Sequence, residues 1–155
     1  MKKTNAIRIL ESHQIEFEVS EYEFNEREID AVSVAKKINA DPENVFKTLV
    51  AVGNDTNNYV FIIPGNYELD LKKAAKAAEV KKIDLIKMKD LFGLTGYIRG
   101  GCSPIGMKKL FPTFLDESAQ LFNKIHVSGG LRGLQIFISP NDLSAVISAK
   151  YADLI

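Results

Sequence analysis

Two parts of this sequence carry residue types that can do chemistry. One is the run Gly100-Gly101-Cys102-Ser103-Pro104-Ile105-Gly106; the other is Lys47, set inside the apolar stretch from Val45 to Val52. Adjacent glycines remove two Cβ atoms, so backbone N–H groups can lie directly against a bound carbonyl or phosphate. Pro104 stiffens the exit of that loop. A lysine in an apolar strand carries its ammonium into a cleft unless side-chain alternation turns it outward. Together the two parts could build one pocket wall. Cys102 beside Ser103 raises a different possibility, a nucleophile, but a working thiolate or alkoxide needs an oriented base. His126 would have to be brought there by the fold. A second glycine cluster, Ser128-Gly129-Gly130-Leu131-Arg132-Gly133-Leu134, again combines open backbone with a hydroxyl and a guanidinium, and is equally a simple hairpin turn.

Other chemistries lack their parts. His13 and His126 are the only histidines and do not sit at ligand spacing, and Cys102 is the only cysteine, so no metal site and no intramolecular disulfide is expected. The glycine patterns of nucleotide-hydrolysing and dinucleotide-binding loops are absent, as is the Gly-x-Ser-x-Gly elbow; no cofactor is expected.

The elements that must position these residues follow from periodicity and caps. Thr4 caps a first helix carrying Ala6, Ile7 and Leu10 and ending near His13, and a strand follows from Phe17 to Tyr22. Asp30 or Ser33 caps a second helix with Val32, Val34, Ala35 and Ile38, which exits at Asp41-Pro42. Val45 to Val52 and Tyr59 to Pro64 form a hairpin around the turn from Gly53 to Asn58. Asp70 caps a lysine-rich helix to Ala78, and a short apolar helix is expected from Ile83 or Lys89 to Phe92. Strands are expected at Thr113 to Leu115, Lys124 to Val127 and Leu134 to Ile138, with a final helix entered through Ser139-Pro140. Short turns between strands favour a mixed, largely antiparallel sheet with peripheral helices over a doubly wound parallel one.

With 155 residues and no internal repeat or linker, residues 1–155 read as a single α/β domain. No apolar run approaches the ~20 residues of a membrane span and no secretory leader is evident, so a cytoplasmic protein is expected. The net charge of zero hides a separation: residues 11–30 hold eight acids against Arg27, whereas residues 71–110 hold ten basic residues against Glu79, Asp84 and Asp90. If the basic segment forms one face it offers phosphate contacts; otherwise both are solvated helix faces.

The segments Phe46-Lys47-Thr48-Leu49, Leu71-Lys72-Lys73-Ala74-Ala75-Lys76, Thr95 through Gly106 and Val127 through Leu134 resemble, in order and spacing, those of the YbaK/EbsC family, which groups with prolyl-tRNA synthetase editing domains. The resemblance runs over nearly the whole chain. It implies a barrel-like mixed sheet and hydrolysis of mischarged aminoacyl-tRNA, most directly Cys-tRNA(Pro), with Ala-tRNA(Pro) as the alternative; some members are classed as lyases. Such editing is needed because a proline-sized synthetic pocket rejects a slightly smaller amino acid by only ~10- to 200-fold. Residue by residue, it implies that Lys47 holds the terminal adenosine and that Gly100 and Gly101 polarise the aminoacyl carbonyl. Tyr22, Ser128 and Gln135 would line the amino-acid pocket. Lys72, Lys73, Lys76, Arg99, Lys108 and Lys109 would meet tRNA phosphates. The implied partners are mischarged tRNA(Pro) and prolyl-tRNA synthetase in a ternary complex, not DNA or membrane. Where some members have an acid this chain has Gln135, and it has Ile29 or Asp30 where some have an aromatic; Cys102 replaces a more usual aliphatic. A noncatalytic module binding a tRNA end or a synthetase, and a thiol enzyme using Cys102, are the other readings.

Overall fold

A computed structural model describes residues 3–155. The first helix, α1 (Asn5–Ser12), starts where Thr4 accepts the Ile7 N–H at 3.2 Å; the same hydroxyl donates to the Gly129 carbonyl at 2.6 Å, tying the helix to the second glycine cluster. Strand β1 (Phe17–Glu21) follows, and Asp30 caps α2 (Ala31–Lys37) by accepting from both the backbone and the hydroxyl of Ser33. A 3-10 turn, Pro42–Asn44, leads into the hairpin of β2 (Phe46–Gly53) and β3 (Asn58–Pro64). Asp70 accepts the N–H groups of Lys72 and Lys73 to open α3 (Leu71–Ala78).

The next segment departs from expectation. Ile83–Leu85 is a strand, β4, and only after a 3-10 turn at Met88–Asp90 does a short helix, α4 (Leu91–Thr95), form. Pairing with β2 overrides the local apolar pattern: Ala51, Val52 and Gly53 face Leu85, Asp84 and Ile83 in antiparallel register. The remaining elements are β5 (Thr113–Asp116), a 3-10 turn at Glu117–Leu121, β6 (Ile125–Ser128), β7 (Leu134–Ile138), α5 (Pro140–Ile147) and β8 (Ala149–Ala152). Strand β8 lies beyond the expected final helix, where Ser148 turns the chain with φ 54°. No helix among the described residues is long and apolar enough to cross a membrane.

The strands form two sheets, β1-β7-β6 and β4-β2-β3-β5-β8. Pairing is antiparallel except for β3–β5 and β5–β8, in keeping with the mixed, largely antiparallel expectation. The expected barrel-like closure is not found. Both sheets are open and meet through one isolated parallel bridge, Val45–His126, because β4 is too short to carry the β2 ladder past Ala51.

The main core lies between the sheets under α1 and α5, and holds Ile7, Leu10, Ile62, Ile105, Leu115, Ile136, Ile138 and Leu143 away from solvent. Each such side chain contributes about 1.5–3 kcal/mol on burial. Helix α3 covers the opposite face of the five-stranded sheet, setting Ala74 and Ala75 against Phe61, Ile63 and Phe114.

Candidate active site

Beyond the short β4, that side of β2 carries no strand ladder among the described residues, and β6 approaches it only through the Val45–His126 bridge. The hydrogen bonds Gly53 N–H to Asn57 and Gly65 N–H to Val45 mark the two ends of the β2–β3 ladder. By antiparallel alternation, the odd-numbered residues of β2 bond to β3 and the backbone groups of Phe46, Thr48 and Val50 face the other way. Val50 is used there, its carbonyl accepting the Ile86 N–H at 3.1 Å. The notch left beside Phe46 to Leu49 is the mouth of a cavity of about 360 Å³.

Chain segments far apart in sequence close around it. Ile29, Asp30, Ala31 and Val34 come from the start of α2, Lys47 and Thr48 from β2, Leu85 from the end of β4, Ile86, Met88 and Leu91 from the segment after it, Arg99, Gly100 and Cys102 from the glycine loop, and Ser128 and Gln135 from the β6–β7 hairpin. The last two are directly paired in register, so one hairpin delivers both side chains to one place. Lys47 and Gly100, the two features most prominent in the sequence, do share one wall.

Lys47 is half-buried and donates through Nζ to the Gly65 carbonyl at 3.3 Å. Desolvation pushes its pKa down from 10.5, and the negative charges of Glu68 and Asp30 work in the opposite direction. Gly100 has φ 82°, and a Cβ there would lie 2.8 Å from Ile29 Cβ, so both its conformation and its neighbours require glycine. Gly101 differs. It is buried, a Cβ would lie 3.0 Å from the Arg132 backbone nitrogen, and its own N–H donates to the Ile98 carbonyl at 2.9 Å. Its donor is therefore committed inside the loop, and it does not line the cavity. Arg132 clamps the same loop, Nε donating to the Arg99 carbonyl at 2.8 Å.

Two buried polar atoms at the cavity, Thr48 Oγ1 and Gln135 Oε1, have no partner among the described residues. Buried polar atoms are almost always satisfied, so these are positions where a bound polar group would complete the wall. The sequence offered Gln135 but not Thr48, whose unpartnered hydroxyl shows only in the fold.

Other expected residues stand elsewhere. Tyr22 does not line the cavity; its N–H bonds to the Gly133 carbonyl and its ring packs with Val34, Ala35 and Val45, one layer behind the wall. Of the six basic residues expected at tRNA, only Arg99 lines the cavity. Lys72, Lys73 and Lys76 ride on α3, and Lys73 is engaged with Asp153 at 3.1 Å and with the Ile155 carbonyl. Lys108 lies 5.1 Å over the Phe92 ring of α4, whose Leu91 belongs to the core on the other side of the five-stranded sheet. The basic segment is thus split between two faces, with Lys109 exposed beside Lys108.

Cys102 lines the cavity but is buried, and desolvation pushes its thiol up to about 11, against a weaker opposing bond from Thr95. His126 does not line the cavity; it stacks on Phe137 at 4.1 Å, and burial lowers its pKa. The histidine that the thiol reading would need is thus not at the cavity. Because burial disfavours the thiolate, Cys102 is expected to resist alkylation in the folded protein, and Cys102→Ala to keep turnover within about threefold of the parent. Rapid, inactivating carboxymethylation at neutral pH would contradict this. Among the described residues, no group of three or more His, Cys, Asp or Glu side chains is placed to hold a metal ion.

Comparison with known proteins bears on the same surface. The model of the aminoacyl-tRNA editing domain matches residues 26–146. The chain is 48% identical over 153 residues, 99% of its length and 93% of the relative's, to EbsC of Enterococcus faecalis, a protein assigned as a Cys-tRNA(Pro)/Cys-tRNA(Cys) deacylase. Among solved structures, one assigned as a trans-editing enzyme for prolyl-tRNA synthetase superposes with a TM-score of 0.82 at 26% identity, over 99% of this chain and 98% of its own. A hypothetical protein superposes with a TM-score of 0.86 at 20% identity, over 95% and 96% of the two chains, a likeness of fold alone. The chain belongs to the aminoacyl-tRNA editing domain family, and within it stands with the YbaK/EbsC proteins.

Proposed function

We propose that this protein is a trans-editing deacylase, one domain over residues 1–155, that removes cysteine from mischarged tRNA(Pro). The observation that carries the reading is the convergence of Lys47, Arg99, Gly100, Ser128 and Gln135 on one cavity whose wall leaves Thr48 and Gln135 unsatisfied. Its volume of about 360 Å³ suits a small ligand. Family membership and the 48% identity to EbsC support the same chemistry.

In this reading the 3′-terminal ester enters the cavity with Lys47 anchoring its phosphate-bearing end as a point charge. The backbone at Gly100 faces the aminoacyl carbonyl and stabilises the oxyanion as it develops. The cysteinyl thiol attacks its own carbonyl carbon: the S–C bond forms, the bond from carbonyl carbon to ribose oxygen breaks, and the departing 3′ oxygen takes up the thiol proton. Holding sulfur and carbonyl in one conformer makes this attack effectively unimolecular. For an alanyl ester, a positioned water would have to replace the thiol. Gln135 and Ser128 meet the amino-acid portion, and selectivity for tRNA(Pro) is borrowed from prolyl-tRNA synthetase in a ternary complex.

A deacylation panel tests this. Purified protein is expected to clear Cys-tRNA(Pro) faster than Ala-tRNA(Pro), with discrimination between tRNAs sharpened by added synthetase. Protein that leaves both esters intact while binding tRNA would instead be a noncatalytic binding module.

A further inference from the structure

Next to the cavity lies a second, more open groove of about 680 Å³. Leu85 and Ile86 line both, so the two hollows share one wall of chain. Val52 and Leu94 supply the apolar part of the groove, and Thr56, Asn58, Lys87, Lys89 and Asp90 supply its polar part. We propose that this groove holds the phosphodiester backbone of the nucleotides immediately preceding the terminal residue of the RNA whose aminoacylated end occupies the cavity. The inference rests on the deacylase reading and adds a binding site to it.

Continuity is the first argument. A polynucleotide inserted by its last residue must leave over the cavity rim, and the Leu85–Ile86 rim leads into this groove. Charge is the second. Lys87 and Lys89 are exposed and, among the described residues, neither is in an ion pair, whereas nearby Lys82 is matched to Asp84 at 3.7 Å. Only Asp90 opposes them among the groove residues. Exposed ammonium groups on a half-apolar trough suit a flexible single strand, whose phosphates need charge and whose bases need an apolar surface. Room is the third. A Cβ on Gly93, which also lines the groove, would meet nothing within 4 Å, so the space runs up to the α4 backbone.

The test compares two substrates, full-length Cys-tRNA(Pro) and the cysteinyl ester of adenosine, which lacks the preceding nucleotides. Lys87→Glu with Lys89→Glu is expected to lower kcat/KM for the tRNA roughly tenfold at low salt, and to flatten the logarithmic salt slope by ~1.4, the value for two phosphate contacts on a single strand. Hydrolysis of the adenosine ester should be unchanged. Gly93→Trp, which fills the groove without altering charge, should also penalise only the tRNA. Parental kcat/KM and slope on tRNA in the charge-reversed variant would overturn the proposal. If the parent hydrolyses neither ester, the deacylase reading fails instead, and the groove is decided by binding of an oligoribonucleotide with the tRNA 3′ sequence: weaker binding to the charge-reversed variant supports it, and equal binding overturns it.

Discussion

Lys47→Met is expected to lower kcat/KM for Cys-tRNA(Pro) by about a hundred- to a thousandfold, comparable to deleting a principal electrostatic contact in other enzymes. Methionine keeps most of the aliphatic stem that packs in the wall and removes only the ammonium. Because that ammonium is held partly away from water, the variant should melt at or above the temperature of the parent, so a loss of rate cannot be ascribed to unfolding. The sign of the pH dependence follows. Folding depresses the Lys47 pKa below 10.5, so the unfolded chain binds the proton more readily and this residue's contribution to stability rises with pH between the folded and unfolded values. Ligand affinity runs the other way, since the cation is lost as pH passes the folded value. Binding of a non-hydrolysable aminoacyl-adenosine amide should therefore weaken on an alkaline limb centred below 10.5 in the parent and show no such limb in Lys47→Met. Equal rates in parent and variant would remove Lys47 from the mechanism.

Gly100→Ala should cost both stability and turnover. The left-handed conformation at φ 82° costs an L-residue about 1–2 kcal/mol, and the new methyl would press on the Ile29 Cβ, an atom too near its own backbone to swing aside. Ile29 lines the cavity, so the displacement is transmitted to the site itself. The expected result is a loss of deacylation of roughly a hundredfold with a melting temperature lowered by several degrees. Adding Ile29→Gly should recover part of that loss, because it removes the contacted Cβ but not the backbone strain at position 100; a double-mutant cycle measures the coupling. Strict additivity would show that the Ile29 contact does not matter.

Much of this was legible beforehand for local reasons. The helix starts at Thr4, Asp30, Asp70 and Ser139 are each made by a short polar side chain bonding the first turn, information contained within four residues of sequence. The β2–β3 and β6–β7 hairpins are equally local. What could not be read depended on distant partners. Ile83–Leu85 has Asp84 at its centre and becomes a strand only because β2 offers it an edge; β8 exists because β5 does. The same division runs through the site. Lys47 and Gly100 stand out by residue type, whereas Thr48 stands out only because the fold buries its hydroxyl without a partner. Tyr22 stands behind the cavity wall, where the chain has left β1 at Glu21 and its backbone N–H bonds to Gly133. The lysine count of residues 71–110 gave no hint that α3 and α4 sit on opposite sides of one sheet.

The shortness of β4 has a further consequence, for how such a site can change over generations. Main-chain groups exposed along β2 are present whatever amino acid is encoded there, so a wall built partly of them is insulated from point mutation. Side chains opposite, at Ile29, Cys102 and Gln135, have no such protection. Drift at those three positions can retune which amino acid is accepted while the inherited backbone frame stays constant, which is a route to paralogues that share one reaction and divide its substrates.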